Sequence, residues 1–361
     1  METQSGIKFL VLEGTPRERG RIYGETLGPM ISEFIERWKY RLGVATQMDA
    51  DKYLGRFLEE TGLVAAVKKR APKLLEAVEG IGEGAGVDFD TIFAYQCADE
   101  ERWYRDSFKR WGSGGCSALG CFREGDAPAL LAQNMDIPGF YDGSQVLLRI
   151  KHPEFPLESL VFTTAGMIAL CGVNSRPVGI CCNTLGDLSY AADGLPVAFI
   201  VRSVLEQPSL EEAVKFIHGV KHASGQNYTM GGAEKVACFE CSANKVSQYI
   251  PYEGARRVWH TNHPLVNDDL ILPPRVRAHP GTSHPRLRWV ESRMMDPSKS
   301  ITPETAKHIL SSHEGPVCVH NNHQPTGALT FGSLVYVLSS PPELHIAPGP
   351  PCSTGWKTFR F

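Results

Sequence analysis

The sequence predicts an α+β layered fold, and three observations carry that expectation. Apolar residues recur at three- and four-residue spacing from Glu18 to about Tyr104, in segments such as MISEFIERW and KKRAPKLLEAVEGIGEGAG, so the opening hundred residues read as helices. Beyond them the pattern turns into short strand-like runs punctuated by Gly, Pro and Asn. Helices and strands come in blocks without regular βαβ alternation, which favours stacked layers over a doubly wound parallel sheet.

The strand-like runs are, in order, ALLAQNMDI, SQVLLRIKH, SLVFTTAG, GICCNTL, YTMGG, KVACFECSA, VSQYIPY and RVWHTNH. Helical segments interrupt them at PVAFIVRSVLEQ, SLEEAVKFIHGV, HPRLRWVESRMM and TPETAKHILSSHEG; Ser209 with Glu212 three residues on is a capping-box signal for the second of these. The stretch from Pro264 to Pro285 reads as a loop excursion within one domain. There is no fixed-period repeat, low-complexity tract or long linker.

Composition is that of an ordinary globular chain: 361 residues, 42% hydrophobic and 21% charged, with a net charge of -3 that offers no electrostatic footprint for nucleic acid. The apolar run Ile7 to Leu12 is too short for a signal peptide or a membrane span, and the closing FRF matches no targeting tripeptide, so a cytoplasmic protein with no membrane partner is expected. Ten cysteines are spread through the chain, several inside apolar runs, and read as reduced and buried.

One stretch stands apart. In GSGGCSALGC, residues 112–121, small residues strip the backbone bare just before Cys116. Such a backbone lets a thiol reach the carbonyl that precedes it. Attack of Cys116 on the Gly115 carbonyl would give a thioester that water opens, leaving Cys116 as a new N-terminal residue. Its free α-amine, with a pKa of about 7.7–8.0, would serve as base for its own thiol. From these ten residues alone, a glycine-rich turn before a buried cysteine is the simpler reading.

Further segments turn the balance. GTPRERGRIYG (14–24), GGC (114–116), QNMD (133–136), HTNH (260–263), GALTFGSLVYVL and APGPPC occur in this order, and together they resemble the isopenicillin N acyltransferase family of self-cleaving N-terminal-nucleophile hydrolases. The resemblance spans residue 7 to the C-terminus. It implies a four-layer αββα sandwich, made after cleavage of an α-chain of 1–115 and a β-chain of 116–361 intertwined in one domain. It implies acyl chemistry on an amide or a thioester, with Cys116 as nucleophile for both the self-cleavage at Gly115 and the acyl transfer.

By the same resemblance Asp136, at the end of a strand-like run before a Pro-Gly turn, faces the new α-amine, and Asn262 donates to the oxyanion. Without the resemblance, Asp136 reads equally well as a turn cap. His260 and His263 flank Asn262 at a spacing poor for zinc, and are expected to support it. Glu100 stands where the family often carries an acidic residue, and the resemblance implies a supporting role for it. The sequence departs from the acyltransferase pattern near the C-terminus: where SRGATLF is expected it reads PTGALTF, with Thr326 in the arginine's position, so if that arginine holds the aspartate or the substrate, this chain uses another group there or processes a different substrate.

Other features read as structural. Cys238 and Cys241 form a C-x-x-C within a strand-like run and have no second pair, and Lys68, Lys69 and Arg70 lie on a solvated helix face. The tract His308, His313, His320 and His323 lacks paired carboxylates, and no metal is expected there or elsewhere. No cofactor is expected. The partners are a small acylated amine or an acyl-thioester such as an acyl-coenzyme A, and the chain's own two pieces. The leading expectation is an autoproteolytic cysteine amidase or acyltransferase; the alternative is a non-catalytic scaffold that keeps the fold.

Overall fold

The computed structural model describes residues 3–4, 6–105, 115–153, 156–271, 281–296, 299–320 and 327–361. Its elements, in chain order, begin with β1 (Thr3–Gln4) and β2 (Ile7–Leu12), then α1 (Pro16–Thr46), α2 (Ala50–Glu60), α3 (Leu63–Arg70), α4 (Pro72–Ala85), α5 (Phe89–Gln96) and α6 (Ala98–Tyr104). Six strands follow: β3 (Ser117–Cys121), β4 (Leu130–Pro138), β5 (Gln145–His152), β6 (Leu157–Thr164), β7 (Cys171–Asn174) and β8 (Gly179–Thr184). After α7 (Val197–Val204) and α8 (Leu210–Gly219) come β9 (Gln226–Gly231), β10 (Val236–Cys241), β11 (Val246–Gln248) and β12 (Arg257–His260). The chain ends with α9 (Ser283–Met294), α10 (Pro303–Leu310), β13 (Ala328–Val337), β14 (Glu343–Ala347) and β15 (Lys357–Arg360).

The motif GTPRERGRIYG is a helix start and a helix contact. Thr15 caps α1: its hydroxyl accepts from the Glu18 amide at 3.3 Å while the Glu18 carboxylate accepts from the Thr15 amide at 2.8 Å, with Pro16 at the first helical position. Gly20 and Gly24 then meet Gly80 and Gly84 of α4, where a Cβ on any of the four would strike backbone of the facing helix. Only bare backbone allows the two helices to come so close. At Leu27 the helix leaves helical torsions, two residues before Pro29 removes a backbone donor.

Two sheets stack face to face. One has the order β1-β2-β5-β6-β7-β8-β9-β10-β11, with β2 parallel to β5 and the other pairings antiparallel; the second is antiparallel in the order β12-β3-β4-β13-β14-β15. Between them lies the larger core, where Phe162 of one sheet meets Phe331 of the other with ring centroids 5.4 Å apart. Helices α1 and α7 rest on the first sheet, with the other helices of the N-terminal section and α8 packed onto them. Helices α9 and α10 cover the outer face of the second sheet.

The period of two in β3 and β4 makes this possible. Leu119, Cys121, Leu130 and Ala132 point outward into a second core with Val290, Met294 and Ile309, while Ala118 and Leu131 point inward. Both strands are buried on both faces, as the middle of a four-layer αββα sandwich requires. The layered arrangement implied by the resemblance is the one the chain adopts.

The structure adds what the sequence reading left out. The short run Ile7–Leu12 is strand β2, paired parallel to β5, and β3, β7, β13, β14 and β15 are further strands. Several of these are buried on both sides, so they read as continuous apolar runs without the alternation that marks a half-exposed strand. The expected loop 264–285 ends sooner than its sequence suggested, because α9 begins at Ser283; residues 272–280 fall outside the described ones. Among the described residues no helix is long and apolar enough to cross a membrane.

Candidate active site

Cys116 stands at the head of β3, one residue before the strand begins, and is buried. Asp136 lies near the end of the neighbouring β4, across from Thr330 of β13, where a register shift interrupts the pairing between Thr330 and Gly332. Because β3 and β4 are antiparallel, the start of one meets the end of the other, and Cys116 and Asp136 share one edge. Asn262 follows the end of β12, the strand on the other side of β3. These three candidates line one cavity of about 480 Å³ together with Gly115. That volume suits a small-molecule ligand.

Arg286 of α9 joins them. Its guanidinium is buried and donates to the Cys116 carbonyl oxygen at 2.5 Å, the Ser117 hydroxyl at 3.0 Å and Asn262 Oδ1 at 2.9 Å, while Nε donates to Thr282 Oγ1 at 3.1 Å. With its oxygen engaged, Asn262 turns its Nδ2 the other way, where it donates to the Thr184 carbonyl at 3.0 Å. Gly115 has no room for a side chain: a Cβ there would collide with the Asn262 carboxamide and stand 2.9 Å from Arg286 Nη2. The glycine before the thiol is therefore required by close packing against the two residues that fix the site.

Burial sets the ionisation of the site. The Asp136 carboxyl is pushed up to about 7 by burial, against downward pulls from Arg286, the Thr330 hydroxyl and the Gly115 backbone. Thr330 Oγ1 donates to Asp136 Oδ1 at 2.7 Å, and Oδ2 is buried without a hydrogen-bond partner among the described residues. The Cys116 thiol is pushed up to about 12 by burial and the nearby Asp136 charge, so it is protonated at neutral pH.

The supporting residues divide in two. His260 is fully buried, with Nε2 at 2.7 Å from Glu240 Oε1 and Nδ1 at 2.8 Å from the Thr261 carbonyl. Glu240 also accepts from the backbone amides of Leu265, Val266 and Asn267, so one carboxylate ties down the turn that follows Asn262. His263 lines the cavity with Nδ1 at 2.7 Å from Ser283 Oγ, and the same hydroxyl accepts from the Asn262 amide at 2.8 Å. Burial and the neighbouring His284 push His263 down to about 3, so it is neutral and a poor base at neutral pH.

Glu100 lies behind the cavity wall: its Oε1 accepts from the Val197 amide at 3.0 Å and from Ser224 Oγ at 2.6 Å, bracing the start of α7, whose Val197, Ala198 and Val201 line the cavity. Its neighbour Asp99 does line the cavity, as Asp136 and Asp187 do, and accepts from Thr184 Oγ1 and Gln226 Nε2 at 3.0 Å each and from Arg102 at 3.1 Å.

Arg286, Thr184, Thr330, Glu240 and Asp99 were not singled out from sequence. Arg286 sits within the charged segment HPRLRWVESRMM, where nothing distinguishes it from Arg288 or Arg293. Thr326 and Ser113–Gly114 lie outside the described residues.

The chain is similar to several known proteins. The acyl-coenzyme A:6-aminopenicillanic-acid-acyltransferase 40 kDa form of Emericella nidulans is 27% identical over 270 residues, covering 71% of this chain and 69% of that protein. Among solved structures, a Caenorhabditis elegans N-acylethanolamine-hydrolyzing acid amidase ortholog aligns at 16% identity and a TM-score of 0.45, covering 68% of this chain and 100% of the other. Penicillin V acylase from Agrobacterium tumefaciens aligns at 12% identity and a TM-score of 0.43, covering 68% and 86%. The family profile "Acyl-coenzyme A:6-aminopenicillanic acid acyl-transferase" matches residues 122–330, a span that holds Asp136, Asn262 and Arg286 and begins just after Cys116. That match covers more than half of the chain, which therefore belongs to the acyl-coenzyme A:6-aminopenicillanic acid acyl-transferase family.

Proposed function

We propose that this member of an acyltransferase and amide-hydrolase family cuts itself between Gly115 and Cys116 and then uses Cys116 to take an acyl group from an amide or a thioester. The observation that carries the reading is the meeting of Cys116, Asp136, Asn262 and Arg286 around one cavity, with Gly115 packed without a side chain against Asn262 and Arg286.

In the uncut chain the protonated thiol gives its proton to Asp136, whose carboxyl, held at about 7, is half ionised at neutral pH. The Cys116 sulfur bonds to the Gly115 carbonyl carbon and the peptide C–N bond breaks, its nitrogen taking a proton to become the α-amine. Water then cleaves the thioester, leaving a Gly115 carboxylate and a free thiol. The pieces 1–115 and 116–361 remain one domain, because β2 stays paired with β5.

In the cut enzyme the α-amine takes the thiol proton, and Asp136 accepts from the ammonium that results. Arg286 keeps its bond to the Cys116 carbonyl, which the cut does not consume. Asn262 uses one N–H on Thr184 and has a second for the oxyanion of the tetrahedral intermediate. The acyl chain lies against the apolar wall of Met135, Ile137, Met167, Leu170, Val197 and Val201. Transfer to an amine and hydrolysis by water share every step but the last.

The test is the intact mass of the freshly purified chain under denaturing conditions, beside Cys116→Ala. The wild type is expected as two pieces of about 13 and about 27 kDa by residue count, the larger beginning at Cys116, and the variant as one chain of 39.8 kDa. A wild-type chain that stays whole overturns the proposal.

A further inference from the structure

The histidine tract that sequence gave no metal is rearranged by the fold. His308 stays on α10, but His313 and His320 of the following loop come together with Cys318 and with Cys352 from beyond β14, and one ligand atom from each of the four lies within 4.8 Å of all the others. We propose that these four residues, two cysteines and two histidines, form a tetrahedral zinc site. It lies on chain segments apart from Cys116 and rests on nothing in the acyl chemistry.

The separations lie near those of one ion, with His320 Nε2 and Cys352 Sγ closer than a bound ion would hold them. A tetrahedron with Zn–S legs of about 2.3 Å and Zn–N legs of about 2.0–2.1 Å sets sulfur to sulfur at about 3.8 Å and sulfur to nitrogen at about 3.6 Å. Here Cys318 Sγ is 3.5 Å from Cys352 Sγ and 3.8 Å from His320 Nε2, and His320 Nε2 is 3.0 Å from Cys352 Sγ. The rings of His313 and His320 lie stacked at 5.2 Å between centroids. Thiolate and imidazole ligands together select zinc over magnesium or calcium. Binding converts two thiols to thiolates with release of two protons to solvent, which leaves the site neutral.

The backbone that presents the ligands is already closed. The Val317 and Cys318 amides both donate to the Ser312 carbonyl, and the turn carrying Cys352 is fixed by bonds from Ser353 and Thr354 to Pro350. Three of the four ligands are exposed, so an ion can enter, and the buried Cys318 anchors the set to the body of the protein. Cys318 and His320 flank Val319, whose amide donates to Thr330 Oγ1 at 2.9 Å and whose carbonyl accepts from the Thr330 amide at 2.9 Å. That same hydroxyl donates to Asp136. A metal here fastens the loop that holds the carboxylate of the active site from behind.

The experiment is metal analysis of untagged full-length protein purified under reducing conditions, followed by reconstitution with Zn²⁺ or Co²⁺ and dialysis against a moderate chelator. The wild type and His308→Ala are expected to keep about one ion per chain, while Cys352→Ser and His320→Ala, both at exposed positions, fall at least tenfold in occupancy. The cobalt form should show the visible bands of a tetrahedral ion and a thiolate charge-transfer band, both lost in Cys352→Ser. A reduced wild type that takes up neither ion overturns the proposal, as does occupancy unchanged in Cys352→Ser. A Cys318–Cys352 disulfide that forms again in place of metal uptake after reduction overturns it too.

Discussion

Replacing Arg286 by glutamine tests the site where charge and geometry meet. The guanidinium holds the Cys116 carbonyl, Ser117 Oγ and Asn262 Oδ1, and it pulls the Asp136 carboxyl down against the burial that raises it to about 7. A nearby opposite charge lowers a carboxyl by about 1–3 pH units, so losing it carries Asp136 to about 8–10. The ionised fraction at pH 7 then drops from about one half to between about one tenth and one thousandth, which slows self-cleavage about 5- to 500-fold if Asp136 is the base. Loosening of Asn262 adds a slowdown that does not depend on pH, at most about 10²–10³-fold if the oxyanion donor is lost altogether.

The two parts separate in a pH series. Wild-type and Arg286→Gln chains made by cell-free translation are moved into buffers from acid to alkaline pH, and the ratio of whole to cut chain is followed by intact mass. The wild-type rate is expected to rise through pH about 7 as Asp136 ionises, and the variant to rise later and regain the pH-dependent part of its deficit in alkali. A deficit of the same size at every pH would refute the assignment of Asp136 as base and of Arg286 as the charge that tunes it. Matching circular dichroism spectra of the two chains keep misfolding apart from either outcome.

Two further substitutions probe the supports. Thr330→Val keeps the volume but leaves the Val319 amide without its acceptor and Asp136 Oδ1 without its donor, so unfolding should cost about 2–4 kcal/mol less and the self-cleavage pH profile should move toward alkali; a wild-type melting curve and profile would count against that reading. Glu240 is pushed up by burial, but the His260 bond and the amides of Leu265 and Asn267 outweigh it and hold the carboxyl below its ordinary value. A carboxyl depressed in the folded state stabilises the fold above its unfolded pKa and loses that contribution as pH falls through the folded value. Glu240→Gln should therefore lower stability by about 3–5 kcal/mol at pH 7 and flatten its decline in acid, and melting temperatures with an undiminished acid slope would contradict this.

Sequence alone determined the helical opening section, the sheet-rich remainder and the order of motifs from Gly14 to Cys352, because these are local matters of periodicity, capping and backbone freedom. Thr15 and Glu18 announce a helix start through a contact three residues long, and the structure has that contact. Cys116, Asp136 and Asn262 were legible as candidates through motif resemblance, while their meeting depends on β3 lying between β4 and β12. Arg286 was not legible: 170 residues separate it from the carbonyl it holds, and only the packing of α9 on β3 and β12 brings it there. The same holds for Cys352, which lies 32 residues from the histidine it faces. The residues of the proposed zinc site and the charge beside Cys116 were both decided by tertiary structure, since a hydrogen bond or an ion reads distance in space and the sequence pattern carries only distance along the chain.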